Sequence, residues 1–204
     1  LNLKNYDEFE GQGIHYAATA LEARFCSGSE IVVVGGGNSA GQAAVFLSNH
    51  AQHVHVLIRG DSLAASMSDY LIQRIDQSSR ITLHRHTQLT GLHGDRKLQE
   101  VTWENRATKE SETRAISNVF VMIGATPNTH WLGDLVEMDQ QGFIHTGGLV
   151  RNGAASPFGT SVEGVFAVGD VRSGSVKRVA SGVGEGSVCV SDVHRFLALS
   201  RENR

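Results

Sequence analysis

Ile31-Val32-Val33-Val34 is an unbroken apolar run closed by glycine, the pattern of a strand covered on both faces in a parallel sheet. A glycine turn follows it. Ala40, Ala43, Ala44 and Leu47 then recur at helical spacing, which predicts a helix over residues 39–48. Residues 54–58 read as the next strand. Leu63, Met67, Leu71 and Ile75 step by four, the stripe of a second helix whose first turn Asp61 or Ser62 would cap. A further strand is expected over 81–86. From 89 to 114 the period changes: turn signals at Gly91, Gly94-Asp95 and Asn105 separate short alternating runs. Leu98, Val101 and Trp103 there fit an antiparallel meander better than another helix. Residues 119–123 are again a buried strand, ending in Gly124.

Beyond Gly124 the texture is different. Residues 125–160 are loop-rich, with Pro127, Pro157 and a glycine pair at 147–148. A strand over 165–168 is expected to end in Gly169-Asp170. Residues 179–199 then form a glycine-interrupted helix whose last turns, with Val190, Val193, His194 and Leu197, are amphipathic. Residues 1–16 read as a polar lead-in with Tyr6, Phe9, Tyr16 and a Gly11-Gln12-Gly13 turn. The class is α/β: a Rossmann-type parallel sheet with an antiparallel meander, followed by part of another domain.

Composition agrees with that class. Glycine is plentiful (23 of 204 residues) and proline scarce (2), which suits tight strand–helix turns and not a collagenous or disordered chain. The net charge of −3 leaves no basic face, so nucleic acid is not an expected partner. No apolar run approaches the roughly 18–20 residues needed to cross a bilayer. The two cysteines, Cys26 and Cys189, form no CxxC or metal-ligand spacing, and a reducing cytoplasm with free thiols is expected. The chain opens on Leu with no charged-then-apolar leader, so no targeting signal is read. His84 and His86 would share a strand face, but no cysteine or carboxylate cluster joins them; they are expected to serve packing or surface and not a metal.

The chemistry-bearing feature is Gly35-x-Gly37-x-x-Ala40 at the strand–helix junction. Gly35 makes the turn, Gly37 leaves room for a pyrophosphate, and Ala40 lets helix and strand pack closely. Asn38 and Ser39 open a helix whose free N–H groups and partial positive charge favour phosphate. About twenty residues on, an acid would hold the ribose hydroxyls of NAD, whereas arginine accepts the 2′-phosphate of NADP. No acid lies between Phe46 and Gly60, and the strand ends Leu57-Ile58-Arg59. Arg59 is therefore the candidate 2′-phosphate ligand, and NADPH the expected dinucleotide.

The segment from Gly164 to Asp170 has the pattern of a strand delivering a carboxylate just past its end. Taken in order, residues 11–16, 32–40, Ile123-Gly124-Ala125-Thr126-Pro127-Asn128, 164–170 and 177–186 resemble the thioredoxin reductase family of FAD- and NADPH-dependent flavoproteins. In more detail they are similar to its bacterial thioredoxin-reductase-like members. The resemblance implies a lead-in over 1–13, an NADPH domain over 14–117, and the C-terminal half of an FAD-binding domain over 118–204. It places Asp170, after Gly169, on the flavin ribityl chain, Arg178 and Val179 along the isoalloxazine, and Ile123 and Gly124 beside NADPH. A homodimer is compatible with it.

Three departures matter. Where the family's redox-active CxxC should follow Tyr16, this chain has Ala17-Ala18-Thr19-Ala20. Gly60 and Ala64 stand where further arginines are usual, leaving Arg59. The N-terminal FAD unit is missing, so the isolated chain is expected to be inactive. The function implied is NADPH-dependent hydride transfer to FAD, without a CxxC relay. Electrons would leave to an unidentified redox protein or small-molecule acceptor. The alternative is a regulatory module that senses NADP(H) without turnover. No residue is assigned as acid or base.

Overall fold

The strand that carries the apolar run begins one residue earlier than expected, at Glu30, in the computed structural model, which describes Leu1 and residues 3–202. It forms β2 (Glu30–Val34), central in a parallel sheet with β1 (Ile14–His15), β3 (His53–Leu57), β4 (Ile81–His84) and β8 (Val119–Val121). The order is β1-β8-β2-β3-β4. Val34 pairs with Leu57 on one side and Val121 on the other, so three strands end at one level.

Burial on both faces explains the absence of polar alternation in β2. Ile31 and Val33 pack with Ala40, Ala44 and Leu47 of α2 (Asn38–Leu47) and with Leu71 and Ile75 of α3 (Asp69–Asp76). Val32 and Val34 face the other way, onto Leu89, Val101 and Trp103. Those residues belong to the expected meander, an antiparallel sheet of β5 (Thr87–Gly94), β6 (Leu98–Asn105) and β7 (Ser111–Arg114). The chain divides into two compact units, Leu1–Gly124 and Ala125–Arg204, and these elements all lie in the first.

Three elements of the first unit differ from expectation. The second helix does not start at Asp61 or Ser62; it starts at Asp69, although Leu63 and Met67 are buried as their spacing implies. Residues 63–67 make a single turn closed by the Met67 N–H on the Leu63 carbonyl (2.9 Å). Ser68 then breaks it with an extended backbone (ψ 144°), because its N–H is drawn to the side chain of Asn38 (2.8 Å). β4 stops at His84, since His86 takes a left-handed turn (φ 53°); the two histidines share no strand face. β8 stops at Val121, short of Ile123.

The second unit has little regular structure besides one helix, α4 (Val179–Glu202), and short 3-10 turns including Gly169–Val171. Its small core gathers Val136, Ile144 and Ala167. The strand expected over 165–168 does not form: only Phe166 pairs, in an isolated bridge with Gly159. With no neighbouring strand to complete a ladder, the extended segment remains a loop. The face that α4 buries carries Cys189 and Asp192, while Val190 and Leu197 of the expected apolar face are exposed. Among the described residues, no helix is long and apolar enough to cross a membrane.

Candidate dinucleotide-binding site

The three strands that end level open a groove beyond their carboxyl ends, of about 850 Å³. This is where parallel α/β sheets place ligands. Its floor is the turn after β2 (Gly35–Ser39), the end of β3 with Arg59, and the segment Met122–Gly124 after β8; Thr87–Thr90 of β5 complete the wall.

Gly35 is required on two counts. Its φ of +141° is one that side chains rarely adopt, and a Cβ there would lie 2.4 Å from the Met122 carbonyl oxygen. The same Cβ would sit 3.3 Å from that of Ala40, so Ala40 does pack against the turn as its size implies. Gly37 caps α2 with an extended backbone, and the nearest atom to a Cβ there would be the Ser66 carbonyl oxygen at 3.8 Å. Space over the turn is open. The first helical hydrogen bond of α2 runs from the Gly41 N–H to the Gly37 carbonyl (3.1 Å), so the N–H groups of Asn38, Ser39 and Ala40 precede it. They and the helix dipole make the turn attractive to an anion.

Arg59 is exposed on the groove and joins no ion pair among the described residues. Asn38 and Ser39 also line it, but the Asn38 side chain is engaged: its Oδ1 accepts the Ser68 N–H (2.8 Å) and hydroxyl (3.1 Å). Ile123, half-exposed, and Gly124 (φ +92°) form the lip. The structure thus brings the first-unit candidates (Gly35, Gly37, Asn38, Ser39, Arg59, Ile123 and Gly124) around one groove, with Ala40 packed beneath it.

The remaining candidates lie in the second unit. Gly169 (φ +73°) and Asp170 sit in a 3-10 turn pressed on α4, with the Gly182 Cα 3.6 Å from where a Gly169 Cβ would be. Glu185 on α4 fastens that turn: its Oε2 accepts the Gly169 N–H (2.6 Å), and Arg172 binds both its oxygens (2.7 and 3.1 Å). The Arg172 guanidinium holds the Glu185 carboxyl below the usual range, with the Gly169 N–H adding to it against the cost of burial. Asp170 is exposed and makes no side-chain hydrogen bond within the described residues. Val179 starts α4 and Arg178 immediately precedes it, both exposed. Sequence reasoning missed the Arg172–Glu185 clamp; thirteen residues separate the partners and no motif joins them.

The thiols behave as inert side chains. Cys26 is fully buried, donates to the Glu22 carbonyl (3.5 Å), and is pushed up to about 11 by burial and then by the Glu22 charge. Cys189 is likewise buried and raised. The segment where the family's CxxC would stand instead starts the short helix α1 (Ala20–Ala23): Thr19 accepts the Leu21 N–H (3.2 Å), and Glu22 accepts the Thr19 N–H (2.9 Å) in a capping box.

A part-buried polar relay around His55 was also missed. His55, only 4% exposed, donates from Nε2 to Glu30 (3.1 Å), whose carboxylate also meets Arg114 (3.2 Å). Its Nδ1 lies 3.0 Å from His84 Nε2, so neutral His84 donates there. Burial, then the neighbouring His55, pushes His84 down to about 4; burial also lowers His55. Among the described residues no group of three or more His, Cys, Asp or Glu is placed to hold a metal ion.

Comparison with known proteins accords with this geometry. A family model described as pyridine nucleotide-disulphide oxidoreductase matches residues 1–186. The chain is 33% identical over 192 residues to a thioredoxin reductase of Chlamydia pneumoniae, covering 94% of this chain and 59% of that protein. It is 34% identical over 200 residues to a thioredoxin reductase of Rickettsia felis, covering 97% and 61%. The crystal structure of Lactococcus lactis thioredoxin reductase superposes with a TM-score of 0.80 at 28% identity, covering 97% of this chain and 62% of that one. That of T. acidophilum thioredoxin reductase gives 0.74 at 29% identity, covering 100% and 62%. The chain thus spans about three-fifths of the length of these relatives. With this parallel sheet, a groove at its strand ends and a match over residues 1–186, the chain belongs to the pyridine nucleotide-disulphide oxidoreductase family.

Proposed function

We propose that this chain is the NADPH-binding domain (14–117) and the C-terminal FAD-domain segment (118–204) of a thioredoxin-reductase-like flavoprotein oxidoreductase. NADPH is the hydride donor and flavin the acceptor. One observation carries the reading: a tight glycine turn, a free helix N-terminus and an arginine without an ion pair among the described residues share one groove at the carboxyl ends of parallel strands. The turn suits pyrophosphate, and Arg59 suits a 2′-phosphate. Ile123 and Gly124 leave the far lip for the nicotinamide half.

The second unit suits an isoalloxazine and its polyol chain. Asp170 is exposed with no side-chain partner among the described residues, and Gly184 and Gly186 of α4 would meet nothing within 4 Å with a Cβ added. Asp170 would accept a hydrogen bond from the ribityl chain, and the backbone near Arg178 and Val179 would lie along the ring. A bound flavin supplies a two-electron acceptor for hydride. Neither thiol suits a disulphide relay, because both are buried and raised. The acceptor beyond the flavin is therefore a separate redox protein or small molecule. The same observation favours a second reading, an NADP(H) sensor without turnover.

Fluorescence titration with NADPH and NADH tests the dinucleotide site. Tighter binding of NADPH, with the preference lost in Arg59→Ala, is expected; equal NADPH affinity in the two proteins overturns the assignment. Stopped-flow mixing of NADPH with the flavin-loaded full-length protein separates enzyme from sensor: rapid bleaching of the flavin means turnover.

A further inference from the structure

Ser68 is an N-cap residue that does not cap. It precedes α3 with an extended backbone, the conformation in which a serine hydroxyl ordinarily accepts an N–H of the helix it opens. No such bond is made. The Ser68 hydroxyl and N–H both go to Asn38 Oδ1, at 3.1 and 2.8 Å, on the first residue of α2. Two residues earlier, the Ser66 hydroxyl donates to the Gly36 carbonyl (2.9 Å) in the middle of the glycine turn. The intervening Met67 is buried, its sulfur 2.8 Å from where a Gly41 Cβ would be. The turn at 63–68 is therefore tied to the glycine turn by three hydrogen bonds and pinned beneath it by an apolar side chain.

The tie acts on the part of the chain that most needs it. Residues 35–37 are three consecutive glycines, which lose more backbone freedom on ordering than any other residue type. A peptide unit is planar and trans, so its C=O and N–H point in opposite directions. Fixing the Gly36 carbonyl on Ser66 turns the Gly37 N–H away from the 63–68 turn. Holding Asn38 by its side chain fixes the residue whose N–H comes first in the helix. Neither Ser66 nor Ser68 lines the groove.

We propose that Ser66, Ser68 and the Asn38 side chain form a latch that orders the glycine turn for the pyrophosphate of a dinucleotide, Ser66 and Ser68 acting as positioning residues. The inference rests on the dinucleotide reading of the groove. The latch presets the donors around Gly37 and Asn38, whereas Arg59 reads the 2′-phosphate independently. The two contributions therefore separate by ligand. ADP-ribose carries the pyrophosphate without a 2′-phosphate, and 2′-AMP the reverse.

Calorimetric titration of the chain with NADPH, ADP-ribose and 2′-AMP tests the latch. The Ser66→Ala/Ser68→Ala double variant is expected to bind NADPH and ADP-ribose about tenfold more weakly, the worth of one to two hydrogen bonds. It should keep 2′-AMP affinity, and Ser68→Thr, which retains the N–H and hydroxyl, should restore ADP-ribose binding beside Ser66. Arg59→Ala gives the opposite split, losing 2′-AMP and keeping ADP-ribose. The latch is overturned if the double variant binds ADP-ribose like the parent, or if 2′-AMP and ADP-ribose weaken together, which marks loss of fold. A parent chain that binds none of the three ligands overturns the dinucleotide reading itself, and the latch with it.

Discussion

Acidification between pH 6.5 and 4.5 should destabilise the first unit through the His55 relay, chiefly through His84. His84 sits among His55, His53, Trp103, Glu112 and Arg114, with its pKa lowered from 6.5 to about 4 by burial and then by His55. A histidine whose folded pKa lies below its unfolded value contributes full stability above 6.5, and loses it as pH falls toward the folded value, because the unfolded chain binds the proton first. At pH 4.5 the loss from one such proton is roughly 2–3 kcal/mol, at 1.36 kcal/mol per pH unit. His55 is lowered in the same sense. Glu30 is also lowered, chiefly by its hydrogen bond to His55, but its contribution is lost only below 4.5, outside this window. The assay is urea unfolding followed by circular dichroism at pH 7.5, 6.5, 5.5 and 4.5, on the parent and on His84→Gln. A glutamine amide can donate the same bond to His55 Nδ1 and does not titrate. The parent should lose roughly 2–3 kcal/mol more than the variant across the window. Parallel curves would refute a neutral His84 donating to His55.

Gly35→Ala should cost roughly 3 kcal/mol or more from its positive φ and the contact with Met122, seen as a Tm lowered by about 6–12 °C. Arg172→Ala leaves Glu185, itself mostly buried, without its bidentate partner, and should cost about 1–3 kcal/mol in urea unfolding. An unchanged midpoint would mean the clamp contributes nothing. Neither thiol should react with a thiol-specific chromogen at pH 8 in the native chain, and both should react in urea, since burial raises both pKa values.

Legibility followed the range of the interaction. The strand at 31–34, the helix after it and the meander are encoded by periodicity over a few residues, and each formed within about two residues of its expected bounds. Leu63 and Met67 show where that logic fails. Their burial was legible, but the same four-residue spacing that marks a helix stripe also serves a single buried turn. The choice between them was made by Asn38, some thirty residues away. The strand expected at 165–168 fails in a similar way, for apolar residues in extended form need a neighbour to become a sheet.

The sequence by itself determined the glycine turn, the missing acid, Arg59 and the absence of a CxxC, because these are local choices of residue type that chemistry constrains directly. Tertiary structure alone decided that Gly35 must be glycine on account of the Met122 carbonyl just after β8, and that Ser68 holds Asn38 instead of its own helix. It alone joined His55 to both Glu30 and His84 across three strands. Hydrogen bonds and close contacts of that kind depend on which elements lie side by side. Periodicity along a chain records which face of an element is buried, and carries no record of its neighbour.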